Sequence, residues 1–69
     1  MWTADITNDP DHDCRLYLEL LEGDEYRGKI TLDGAGKIEL MFYECAHPVR
    51  IPGEWLMEML AGAKAELIE

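Results

Sequence analysis

The sequence predicts an α+β domain: a three- to four-stranded antiparallel meander with one C-terminal helix packed on one face. Three observations carry that expectation. Three segments alternate apolar and polar residues with period two, glycine-rich joints separate them, and the period becomes helical after residue 52. The chain has 69 residues and reads as a single domain spanning residues 1–69. A domain of this size buries only roughly 60 per cent of its surface, so one core gives marginal stability.

The first segment is "CRLYLELLE", in which Cys14, Leu16, Leu18 and Leu20 share a face. In "YRGKITLD" the face is Tyr26, Gly28, Ile30 and Leu32, and in "KIELMFYE" it is Ile38, Leu40 and Phe42. The joints are "GDE" at 23–25 and "GAG" at 34–36. Pairing Leu20 with Gly28 leaves a three-residue loop at 23–25 and matches Leu18 with Ile30 and Leu16 with Leu32. On the other face Glu19 then meets Lys29, and Arg15 meets Asp33. Every apolar pair is matched and both charged pairs have opposite signs, whereas a one-residue slip would invert the faces. Across "GAG", Asp33 meets Lys37, Leu32 meets Ile38, Ile30 meets Leu40 and Gly28 meets Phe42. Phe42 would cover the backbone that the strand glycine leaves bare. The Gly28/Phe42 pair is expected to anchor the sheet, so that Phe42→Ala costs about 3–5 kcal/mol, enough to unfold so small a domain. "MWTADIT" also alternates, with Trp2, Ala4 and Ile6 on one side, and is the candidate fourth strand.

Beyond "AHPVRIP", Leu56, Met59, Leu60, Ala63 and Leu67 fall at helical spacing. Pro52 suits the first helical position and Glu54 the positive end of the helix dipole. An isolated helix this short is marginal, so its Leu/Met stripe is read as core packed on the sheet. Gly62 costs about 1 kcal/mol against alanine. A close helix–sheet contact is the expected compensation.

The charge is −9, from 15 acids and 6 bases, which excludes direct binding of nucleic acid or an anionic membrane. No apolar run is long enough to span a bilayer, and "MWTADITNDP" lacks the blocks of a signal peptide, so a cytoplasmic location is expected.

"NDPDHDC" places Asp9, Asp11 and Asp13 on alternate positions. An EF-hand loop starting at Asp9 requires glycine at its sixth position and glutamate at its twelfth, where this chain has Cys14 and Leu20. A weak divalent-ion loop at Asp9, Asp11 and Asp13 is therefore only an alternative, and no metal or cofactor is expected. His12 and Cys14 with Cys45 and His47 form a zinc set by residue type. The meander separates the two pairs: Cys14 opens its first strand and Cys45 closes its third, roughly 25 Å apart. They can share neither a metal nor a disulfide. Two free thiols fit a reducing compartment.

An enzyme is not expected. The chain has no serine and no phosphate loop. Cys45 and His47, two apart in an extended strand, would stand about 7 Å apart, too far for a thiol–imidazole bond.

Acids beyond those paired across strands gather in three places. These are Asp5, Asp9, Asp11 and Asp13; then Glu22, Asp24 and Glu25 in the first turn, near Glu44; and Glu54, Glu58, Glu66 and Glu69 on the helix. Tyr17, Leu21, Met41 and Tyr43 point away from the predicted helix, and an apolar, aromatic patch rimmed by charge often marks a protein contact. The candidate partner-binding residues are thus Asp9, Asp11, Asp13, Tyr17, Glu22, Asp24, Glu25, Met41, Tyr43 and Glu44. The expected function is non-enzymatic binding of a basic protein surface by a monomer or weak homodimer, with carboxylates standing in for phosphates. The main alternative is a homodimer or subunit that buries the outer sheet face.

The meander "CRLYLELLEGDEYRGKITLDGAGKIELMFYE" followed by "PGEWLMEMLAGAKAELI", with the small size and acidity, resembles phage-encoded inhibitors of bacterial defence, notably anti-CRISPR proteins. The resemblance implies binding to a CRISPR effector subunit and obstruction of its DNA channel. It carries over no functional residue.

Overall fold

In a computed structural model, which describes residues 1–9 and 15–67, the alternating segments form one four-stranded antiparallel sheet. Its strands are β1 (Trp2–Asp9), β2 (Arg15–Glu22), β3 (Glu25–Leu32) and β4 (Ile38–Phe42), in the order β1-β2-β3-β4. A single helix, α1 (Gly53–Leu67), follows. The N-terminal alternation does make the fourth strand: Ala4 pairs with Leu20 and Ile6 with Leu18, so one apolar face continues across the β1–β2 ladder.

The second hairpin has the predicted register, with Gly28 opposite Phe42, Ile30 opposite Leu40 and Leu32 opposite Ile38. Its turn is closed by Asp33. The Asp33 N–H donates to the Lys37 carbonyl at 2.9 Å, and its carboxylate accepts from the Ala35 and Lys37 N–H groups at 2.8 and 2.9 Å. Gly36 supplies the positive φ, 78°, that the turn requires. The Asp33 carboxylate is therefore engaged by the turn backbone, not by Arg15, whose Cα partner is Asp9.

The first hairpin departs from expectation at one point. Leu18–Ile30, Glu19–Lys29 and Leu20–Gly28 pair as predicted, but the register then shifts, and Leu21 meets Tyr26 while Glu22 meets Glu25. The loop is Gly23-Asp24, two residues rather than three. Gly23 has φ 62°, the positive value that two-residue hairpin loops need at their first position. The residue left over is taken up as a bulge at Arg27. The shift moves Tyr26 off the predicted core face, and it is 63% exposed.

The core is Leu18, Leu20, Ile30, Ala63 and Leu67, with Leu20 and Ile30 fully buried. Leu56, Met59 and Leu60 pack against it, so the helical stripe is core as read from its spacing. Pro52 stands one position before the predicted place. Its carbonyl accepts the first helical bond, from Leu56 N–H at 3.0 Å, which makes it the cap residue. Trp2 meets Trp55 with ring centroids 5.8 Å apart and planes tilted by 45°, tying β1 to the start of the helix. Tilted aromatic pairs add about 0.5–1.5 kcal/mol beyond their burial.

Two expectations are corrected by packing. Phe42 lies across Gly28 but remains 48% exposed, so truncating it removes far less buried surface than a cost of 3–5 kcal/mol assumes. Gly62 makes no close helix–sheet contact: a Cβ built there meets nothing within 4 Å.

Candidate protein-binding face

Helix α1 covers one side of the sheet and leaves the other open. The open side is built by strand alternation, which sends Tyr17, Glu19 and Leu21 of β2 opposite to the core leucines. Register then sets Lys29 beside Glu19 and Met41 beside Lys29. The bulge adds Tyr26. The result is a shallow hollow of about 410 Å³ lined by Asp5, Thr7, Tyr17, Glu19, Tyr26 and Tyr43.

Glu19 is the hub of this face. It is 8% exposed, and its Oε2 accepts from the Tyr43 hydroxyl at 2.8 Å. The Lys29 ammonium sits 5.3 Å from the centre of the Tyr17 ring, a cation–π arrangement. Fixed rings over a rigid sheet lose little conformational entropy on binding, which suits aromatic anchors to a protein contact. Met41, 41% exposed, adds deformable apolar surface beside them. Next to it Arg15, Lys29, Thr31 and Glu39 give the hollow a mixed-charge flank.

Of the predicted partner-binding residues, the structure gathers Tyr17, Met41 and Tyr43 on this face. Glu22, Asp24 and Glu25 sit at its end, in the β2–β3 turn. Two of those acids are not unmatched. Arg27 reaches Glu22 at 3.0 Å and Glu25 at 3.3 Å, which leaves Asp24 as the exposed acid of the turn without such a pairing among the described residues. The Arg27 side chain is mostly buried and so anchors both carboxylates from below the surface. Glu44 follows Tyr43, whose N–H donates to the Arg27 carbonyl at 2.9 Å, and so lies at the same end of the sheet. Asp9 ends β1; Asp11 and Asp13 lie outside the described residues, as do His12, Cys14 and Glu69. The ion-loop alternative therefore falls outside the described residues. Among the described residues no group of three His, Cys, Asp or Glu is placed to hold a metal ion.

Sequence reasoning missed Tyr26 as a member of this surface and Glu19 as its buried centre. A detectable signal existed for Tyr26: "EGDE" offers a glycine at the first position of a two-residue loop, which forces the compensating bulge.

The geometry at Cys45 also differs from the strand-based expectation. β4 ends at Phe42 and the chain bends at residues 46 and 47, so the 7 Å spacing of an extended strand does not apply. Cys45 Sγ lies 3.7 Å from His47 Nε2 and accepts from Arg27 Nη1 at 3.3 Å. It is a half-buried free thiol. It stands past the Phe42 end of β4, whereas Arg15, next to Cys14 in sequence, starts β2 at the opposite end of the sheet. Mass spectrometry of non-reduced, thiol-blocked protein should therefore show two modified cysteines per chain. A species lacking both blocking groups at unchanged chain mass, less two hydrogens, would mean an intramolecular disulfide and a different sheet.

No helix among the described residues is long and apolar enough to cross a membrane. Comparisons with family models, with curated proteins and with solved structures returned no match.

Proposed function

We propose that this protein is a non-enzymatic binder of a basic protein surface, and that it makes contact through the open sheet face and the acids at its turn end. One observation carries this reading. The face opposite the helix holds Tyr17, Tyr26 and Met41 on strands, with Tyr43 just past the end of β4, in a chain of net charge −9. Aromatic anchors supply residence time, and the acidic field supplies steering toward a cationic partner. A basic nucleic-acid channel is the natural complement of such a field. We take the narrower reading to be phosphate mimicry against a bacterial defence complex of the CRISPR type, on the strength of the acid surplus. Location in the cytoplasm of a bacterial host is part of that narrower reading.

A pull-down from bacterial lysate supplies the partner, and binding kinetics test the mechanism. Affinity should fall steeply between low and physiological salt, and DNA should compete with the protein. Asp24→Lys should lower the association rate several-fold with little change in dissociation, because Asp24 steers without holding Arg27. Tyr17→Ala and Tyr26→Ala should instead raise the dissociation rate at least tenfold. Binding insensitive to salt and to Asp24→Lys would exclude mimicry. A concentration-dependent mass that doubles and is abolished by Tyr26→Ala would replace it with a homodimer that buries the same face.

A further inference from the structure

Four strands spaced about 4.8 Å apart put the outer strand axes about 14 Å from each other. A helix with its side chains is about 10–12 Å across. One helix therefore cannot cover four strands. Helix α1 lies chiefly over β3, β2 and β4. Trp2 is secured by Trp55, but Ile6, on the same side of β1, remains 49% exposed. Between them the structure has an open groove of about 260 Å³. Its floor is Ala4, Ile6 and Leu18, and its helical wall is Met59 and Gly62.

Two features specify the occupant. The rim of the groove is acidic, formed by Glu58 and Glu66. Gly62 faces it with no atom within 4 Å of a built Cβ, so the fold itself derives nothing from a glycine that weakens the helix. A flat position in the wall lets another helix approach at the short axial distances of close packing.

We propose that this groove receives an amphipathic helix of a partner protein, laid over β1 beside α1, with aliphatic side chains on Ala4, Ile6 and Leu18 and lysine or arginine against Glu58 and Glu66. That helix completes the second layer of the sheet. It is a surface distinct from the tyrosine face and does not depend on it. A second copy of α1 is a poor occupant, since its own charged positions are Glu54, Glu58, Glu66 and a single Lys64.

The probe is a synthetic 18-residue helix with leucine on one face and lysine on the other, titrated into isotopically labelled protein while amide shifts are followed. Saturable shifts should centre on Ile6, Leu18 and Gly62. The same peptide with glutamate for lysine should bind at least tenfold more weakly. Gly62→Leu fills the groove from an open position, and should weaken binding at least tenfold while the melting temperature does not fall. Glu58→Lys with Glu66→Lys should weaken it similarly. Shifts centred instead on Tyr17, Tyr26 and Tyr43, unchanged affinity in Gly62→Leu, or equal binding of the glutamate peptide would overturn the proposal. Any of these results leaves the tyrosine face to be judged by its own salt and Tyr26→Ala tests.

Discussion

Leu20→Ala should leave most of the protein unfolded near its present melting temperature and lower its stability by about 2–5 kcal/mol. Leu20 is fully buried and sits on β2 between the β1 and β3 ladders, opposite Ala4 on one side and Gly28 on the other. Neither neighbour is large enough to collapse into the space left behind, so the cavity term applies nearly in full. Domains of this length have roughly 3–10 kcal/mol of total stability, at about 0.05–0.15 kcal/mol per residue. The loss is therefore a large part of the whole. Phe42→Ala is the internal comparison. That ring is as large but half exposed, so its removal should cost clearly less. Urea titration followed by circular dichroism measures both. Leu20 and Phe42 share one sheet face through Gly28, so a larger loss for Phe42→Ala than for Leu20→Ala would mean that the core on that face is centred over β4 and not over β2 and β3.

The parts of this fold that were legible in the sequence are those where two independent constraints agree. Alternation and opposite-sign pairing both demand Leu18–Ile30 and Glu19–Lys29, and the structure has them. "DGAGK" combines an acid that can cap a turn with a glycine that can adopt positive φ, and the second hairpin forms without a slip. The Leu/Met stripe likewise becomes core because only burial on the sheet stabilises a helix of this length. Alternation misleads where it is extended through a turn. Period two cannot register an extra residue, so parity assigns Tyr26 to the core, while the bulge at Arg27 reverses parity and sends it outward. The same limit hides the Cys45–His47 contact, since β4 stops at Phe42 and strand spacing does not govern the residues beyond it. The candidate site was legible in outline, as Tyr17, Met41 and Tyr43 on one face. Its organisation around a buried Glu19 was not, because a glutamate alternating with leucines reads as solvated unless the tyrosine above it is known.

A single chemical change, glycine to alanine, should act with opposite sign at two positions. At Gly28 the new methyl would stand 2.5 Å from the Met41 carbonyl oxygen, 3.1 Å from the Phe42 ring and 3.2 Å from the Phe42 Cα. The ring can turn away, but the carbonyl belongs to β4 and moves only if the strand moves. Relief therefore requires the β3–β4 ladder to open at Gly28–Phe42, next to the bulge where the sheet is already irregular. Overpacking of this kind costs about 1–3 kcal/mol, and a rigid backbone neighbour favours the upper end. The intrinsic preference of a strand for alanine over glycine is too small to offset it. At Gly62 the methyl meets open space within a regular helix, so Gly62→Ala should raise stability by up to about 1 kcal/mol. Melting temperatures of the two variants should fall on either side of the parent's. If Gly28→Ala melts at or above the parent, β4 does not lie as close to β3 as this register places it. If Gly62→Ala melts lower, the helix wall is already filled, and the groove over β1 is closed.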